Sequence, residues 1–247
     1  MIIDRTAAKL QAKQLIRESQ PSMLTAALLY TLLTALIGWL SLRLTGVDTN
    51  TMNEMLRLAS EGNSEAVMEM MTKATPSAGA SLIDSLLRLA MAVVGVGFSL
   101  FVMNSVRRSQ PALGNLLDGF GMFPRVLFLI ILQIVFIFLW SLLLVIPGII
   151  AAYRYSFAVY VMIDHPEMSA MDCLRESKRL TTGYKRQLFL LDLSFIFWFL
   201  LTMIPIVGYI AQVYVTPYME SARVLYYEQI RALQGGNTIV QDGWDGD

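Results

Sequence analysis

The residues that could do chemistry in this sequence stand close together near its C-terminal end. Glu220 is the deepest carboxylate of an apolar run that opens at Gly208, about 18 Å along a helix at 1.5 Å per residue. Arg223 is three residues on and can share its face, while Pro217 removes a backbone donor beside both. Ionisable groups at such depth are costly in hydrocarbon and often mark a substrate or ion path. Two readings stand: a solute site built on Glu220, Arg223 and Arg154, or a structural Glu220–Arg223 pair that locks the helices. Arg154 falls about 10 Å below Pro147, and Arg88 a similar distance into an earlier apolar run. Both can pair with a carboxylate such as Asp84 or extend toward water. Asp192 is within reach of Lys185, Arg186 or Arg223 and reads as an interfacial partner.

Other chemistries find no material. Cys173 and His165 are single, so neither a disulfide nor a Cys/His metal framework can form. His165, beside Asp164 and Glu167, reads as a loop histidine. A cluster of Met52, Met55, Met68, Met70 and Met71 could hold a cuprous ion, but adaptable packing is the commoner use of methionine. No nucleophile–base set, P-loop or GxGxxG pattern is present, and Gly95, Gly97 and Ser99 read as close helix packing. No catalysis, metal or cofactor is expected.

The elements that must position these residues are apolar helices. Of 247 residues, 55% are hydrophobic and 15% charged, and the mean hydropathy is +0.55. These values point to a membrane solvent, and the net charge of zero gives no case for nucleic acid. The expected fold is all-α, a bundle of about six transmembrane helices at residues 23–42, 82–103, 126–146, 149–163, 188–204 and 208–227. Ile146-Pro147-Gly148 should turn the third span into the fourth, and Pro205-Ile206-Val207-Gly208 the fifth into the sixth, as helical hairpins. The first span lacks a cleavage signature and should be retained. Thirteen of the 19 Lys and Arg fall in the N-terminal segment, in the connectors at 107–125 and 175–186, and in the tail at Arg231. Segment 45–80 has only Arg57 and Lys73 against five acids. Both termini should therefore face the cytoplasm, with Tyr226 and Tyr227 in an interfacial belt.

A basic helix over residues 4–20 should lie on the inner surface. Residues 111–118 resemble residues 169–176, matching Ala112 with Ala170, Leu116 with Leu174 and Asp118 with Glu176. This gives three units, each a surface helix followed by two spans. The connector helix has Ser169 as N-cap and Gly183 as stop. Its Arg175, Lys178 and Arg179 form a candidate surface for an anionic lipid or a partner membrane protein, or serve simply as positive-inside charges. Segment 45–80 should hold two short helices. Residues 1–233 read as one membrane-embedded domain and 234–247 as a flexible acidic tail.

Leu143 to Ile150 (Leu-Leu-Val-Ile-Pro-Gly-Ile-Ile), Tyr153-Arg154-Tyr155-Ser156, Ser169 to Ser177 and Gly183 to Phe189 together resemble the domain-of-unknown-function 975 (DUF975) family of bacterial integral membrane proteins. Ile3-Asp4-Arg5, Ala12-Lys13, Pro217-Tyr218 and Tyr227-Glu228 add to the likeness. The resemblance implies a multi-span protein of the bacterial plasma membrane and supplies no activity and no catalytic residues. The residues leave two functional expectations, a non-catalytic scaffold or lipid-associated accessory protein, and a permease for a small solute or lipid precursor.

Overall fold

The computed structural model describes residues 4–45, 49–73, 77–204 and 207–241. Ile3, residues 46–48 and 74–76 of the 45–80 segment, Pro205, Ile206 and the tail beyond Gln241 lie outside them, as do the side chains of Thr45, Thr49, Met52, Lys73 and residues 235–241. All regular structure among the described residues is helical. The chain divides into two compact units, one formed by the chain up to Thr31 and from Val93 onward, the other by Leu32–Ala92.

In the first unit, α1 (Arg5–Glu18) is capped by Asp4, whose carboxylate accepts from the backbone N–H groups of Thr6 and Ala7 at 2.8 and 3.2 Å. It buries Ala8, Ala12 and Ile16. Small residues four apart allow its backbone to approach the last helix closely. α2 (Met23–Thr45) begins here with buried Met23, Ala26 and Ala27 and continues into the second unit. That unit holds α3 (Thr49–Ser60), α4 (Ser64–Lys73) and the start of α5 (Ala78–Arg107). Gly62, at φ +73°, makes the turn between the two short helices. Met68 and Met71 are exposed there, against the expectation that they pack a core. Arg88 pairs with Asp84 at 2.8 Å, and Ser41 bonds to both, tying α2 to α5 within this unit.

From Val93 onward α5 belongs to the first unit. It meets α6 (Asn115–Asp118) and the single 3₁₀ turn Gly119–Met122 at glycine positions. A Cβ on Gly97 would strike the carbonyls of Leu116 and Asn115, and one on Gly119 the carbonyl of Val93. The expected close packing at Gly97 is thus backbone on backbone.

α7 (Phe123–Leu143) and α8 (Val145–Arg154) form a hairpin, but the chain reverses at Leu144 rather than at Pro147-Gly148. Pro147 sits in the first turn of α8, where a missing N–H costs nothing. Gly148 is needed because a side chain there would collide with Ser141. The expected fourth span is not continuous, since α8 ends at Arg154 and α9 runs Ala158–Asp164. Next comes α10 (Ala170–Thr181), capped by Ser169 and stopped by Gly183 at φ +87°. The expected fifth span is likewise divided into α11 (Lys185–Leu193) and α12 (Ile196–Thr202). α13 (Val207–Gln241) stays helical through Pro217 and past residue 234. Gly208 lets it pass the carbonyl of Thr202, a close approach like that at Gly148.

Four stretches are long and apolar enough to cross a bilayer: Met23–Leu44, Ala78–Arg107, Asn115–Leu143 and Val145–Asp164. Six were expected. The fifth and sixth fall short among the described residues because α11–α12 carries Lys185, Arg186 and Asp192 within 18 residues and α13 carries Glu220, Arg223, Glu228 and Arg231. The surface matches a lipid solvent, with Leu142 74% and Phe197 81% exposed in runs of similarly bare apolar side chains. Tyr226 and Tyr227 are fully buried, so they belong to the core of the bundle and not to an interfacial belt.

Candidate functional site

The two divided helices break alike. Residues 155–157 and 194–195 leave the helical pattern at a Ser-Phe pair, and Phe157 (φ −97°, ψ 0°) and Phe195 (φ −101°, ψ 2°) adopt the same backbone conformation. Each phenylalanine is buried edge-on against a tyrosine of α13, Phe157 on Tyr227 at 5.5 Å and Phe195 on Tyr218 at 4.9 Å. Irregular backbone among apolar helices needs partners from the protein. At the first break Ser177 of α10 supplies them. Its hydroxyl donates to the Arg154 carbonyl at 3.0 Å and accepts from the Phe157 N–H at 3.1 Å. Thr181 adds a 3.3 Å bond to the same carbonyl, and Gln133 of α7 donates to the Tyr155 carbonyl at 2.8 Å. At the second break Lys9 of α1 donates to the carbonyl and hydroxyl of Ser194 at 3.3 and 3.2 Å.

Between the breaks lies a cavity of about 300 Å³, lined by Tyr153, Ser156, Phe157, Tyr160, Leu188, Asp192 and Arg223 with Ala152. Arg223 holds Asp192 in a two-pronged pair at 3.1 and 3.0 Å. Glu220 is one turn earlier on α13 and accepts from Ser99 at 2.6 Å and from Tyr160 at 3.0 Å. The geometry therefore joins Arg223 to Asp192 rather than to Glu220. It gathers Arg223, Asp192 and Tyr160 around one space, with Glu220 bonded to Tyr160 but outside the cavity lining. Arg154 is not brought there; its guanidinium lies 5.4 Å from the Trp140 ring centre, with Nε left without a hydrogen-bond partner. A bidentate guanidinium–carboxylate pair on a cavity wall offers one acceptor for a cationic group and one donor fork for an anionic group. Nothing in the arrangement resembles a nucleophile with its base.

A second set of charges closes the far end of the bundle. Asp164, whose side chain is 4% exposed, accepts from Arg107 at 2.6 and 2.9 Å, from Tyr227 at 2.7 Å and from Arg231 at 2.7 Å. Arg107 also reaches Glu228 at 2.7 Å. These bonds tie the ends of α5 and α9 to α13, which is a structural office.

On α10, Cys173, Leu174, Ser177 and Leu180 are buried while Arg175, Lys178 and Arg179 are exposed. Arg175 is paired with Asp172 at 3.0 Å and Arg179 with Glu176 at 2.6 Å, three residues apart on the same helix. The hydrogen bond from Ser169 is the main cause holding the Asp172 carboxyl below its ordinary range, and Arg179 does the same for Glu176. Two of the three expected surface cations are thus answered within α10. Tyr153, Tyr160, Ser177 and Ser194 escaped the sequence reading. The repeated Ser-Phe in otherwise apolar runs is the signal that marks both breaks.

An all-helical chain with four membrane-length apolar helices and an outer surface of bare aliphatic and aromatic side chains is a membrane-embedded helical protein. The family model described as "Protein of unknown function (DUF975)" matches residues 10–234, nearly the whole length, and the chain belongs to that family. No curated protein and no solved structure matches it.

Proposed function

We propose that the protein is a permease for a small zwitterionic solute, and that the Asp192–Arg223 pair on the cavity wall is its binding site. The observation that carries this reading is the placement of that pair in a space of about 300 Å³ between two interrupted helices. Interrupted helices that meet near the middle of a bundle are a recurring way to expose polar groups to a transported solute. A solute with one carboxylate and one ammonium would trade places with the pair, its carboxylate going to Arg223 and its ammonium to Asp192. Glu220, held by Ser99 and Tyr160, would sense the charge entering one turn away. In this reading α11–α12 and α13 are the fifth and sixth passes, both termini are cytoplasmic, the membrane is the bacterial plasma membrane, and the protein is not an enzyme.

The test is a thermal-shift screen of the detergent-purified full chain against zwitterionic, anionic and cationic solutes, with Asp192→Asn/Arg223→Gln in parallel. A ligand at a hundred times its dissociation constant adds about 2.7 kcal/mol to the folded state. Zwitterions should raise the melting temperature of the wild type and not of the variant. Equal shifts in both proteins, or none from any solute, would sink the reading. A scaffold working through Arg175, Lys178 and Arg179 is the second reading, supported by the exposure of all three. It expects partner recovery to fail when they are neutralised, and it is the weaker because two of them already have carboxylates.

A further inference from the structure

α1 carries Arg5, Lys9 and Lys13 four residues apart, so they lie along one stripe of the helix. That stripe faces the second helix break, not the solute cavity. A separate cavity of about 320 Å³ lies there, lined by Arg5, Lys9, Leu10, Lys13, Ser194 and Tyr218 with Thr6. No carboxylate lines it among the described residues. The nearest on the helix, Asp4, is turned to the N–H groups of Thr6 and Ala7. Among the described residues, the partners of Lys9 and Lys13 are neutral. Lys9 bonds to the Ser194 carbonyl and hydroxyl and lies 4.5 Å from the Phe195 ring centre, and Lys13 lies 5.7 Å from that of Tyr218. Burial first, then the charges of Lys13 and Arg5, lowers the proton affinity of Lys9, as crowding without a counter-ion requires. Arg107, Arg175, Arg179, Arg223 and Arg231 each have a carboxylate within 3.0 Å. The α1 cluster stands apart from that pattern.

We propose that Arg5, Lys9 and Lys13 form a binding site for a phosphate ester. Three convergent cations around a cavity of this size match a doubly or singly charged phosphate with its oxygens spread among them. The surroundings point to a phospholipid headgroup as the source. Leu10, between the cations on α1, is 61% exposed, and Leu193, just before Ser194, and Phe197, three residues after it, are bare as well. Acyl chains would lie along these side chains while the headgroup enters the basic cavity.

The experiment is native mass spectrometry of the full chain in detergent, titrated with dioleoylphosphatidylglycerol, with dioleoylphosphatidylcholine, and with inorganic phosphate. The variant is Arg5→Gln/Lys13→Gln, which leaves Lys9 and its bonds to Ser194 in place. Arg5→Lys/Lys13→Arg keeps the charge. One phosphatidylglycerol should bind saturably and phosphatidylcholine should not. Each interfacial cation contributes about fivefold, so the Gln variant should bind roughly 30-fold more weakly while the charge-preserving variant keeps wild-type affinity. If inorganic phosphate alone binds with the same dependence on charge, the site is confirmed and its ligand is a soluble phosphate. Equal binding of either probe to wild type and Gln variant, or binding of neither, overturns the proposal.

Discussion

Replacing Ser177 by alanine should release α10 from the first helix break, and the size of the effect follows from the bonds lost. Ser177 is fully buried, and its hydroxyl satisfies two backbone groups that the break leaves free, the Phe157 N–H and the Arg154 carbonyl. Thr181 still reaches the carbonyl at 3.3 Å, so the uncompensated loss is mainly the N–H. A buried donor left without a partner costs about 1–3 kcal/mol, and we take about 2 kcal/mol. Cys173, the single cysteine, reports on this directly, because it lies one turn before Ser177 and is fully buried. Burial, and then Asp172, raises its thiol pKa, so labelling in the closed state is slow. If labelling by a maleimide at pH 7 requires α10 to open, about 2 kcal/mol corresponds to a roughly 30-fold faster rate in Ser177→Ala. Lys178→Gln, on the exposed face next door, should change the rate less than about twofold, as surface substitutions do. A Ser177→Ala protein that labels at the wild-type rate would refute the view that this hydroxyl fastens α10 to the break.

Two further outcomes follow from the packing and the charges. Gly97→Ala should destabilise the protein by about 2–3 kcal/mol, seen as a lower thermal midpoint in detergent, because the added methyl meets the Leu116 and Asn115 carbonyls and not a movable side chain. Glu176, whose pKa is depressed chiefly by Arg179, stabilises the fold above its unfolded pKa and loses that contribution as pH falls through its folded value. The difference in melting temperature between wild type and Glu176→Gln should therefore be open at pH 7 and close in acid, below the ordinary glutamate value of about 4.3. A gap that persists in acid would mean that the carboxylate charge is not what Arg179 holds.

The helices themselves were legible because their signals are local. Residues 23–42 are a run without a charge, Ser169 caps α10 and Gly183 stops it, and each of these signals is local. The breaks at 155–157 and 194–195 were not legible, since apolar composition on both sides gives a single long hydropathy peak. What ends the helix there is a distant hydroxyl or ammonium that accepts or supplies backbone hydrogen bonds, Ser177 in one case and Lys9 in the other. The same limit applies to the site. Depth along the helix picked out Glu220 and Arg223, but a spacing of three residues could not decide between pairing with each other and pairing across helices. Asp192 won Arg223 because it presents both oxygens to the guanidinium, while Ser99 and Tyr160 already serve Glu220.

The two breaks are unequal, and the inequality says where this bundle yields first. The first is held by Ser177, Thr181 and Gln133 through four hydrogen bonds to its backbone, two of them from the fully buried Ser177. The second is held by the ammonium of Lys9, through bonds of 3.3 and 3.2 Å to Ser194. α12 beyond it has no fully buried residue and rests on α13 through Trp198, whose ring meets those of Tyr214 and Tyr218. The chain crosses the bundle in opposite directions through the two breaks, since α8–α9 leads away from the Leu144 hairpin turn and α11–α12 leads back from α10. A phosphate drawn into the basic cavity would compete with Ser194 for the Lys9 ammonium and so loosen the weaker break. In the permease reading, the cavity lined by Ser156 and Phe157 at the stronger break and by Asp192 just before the weaker one would then widen on the side of α11. Headgroup and solute would then act on the same joint from its two faces, which makes the mobility of α12 the quantity that connects the two sites.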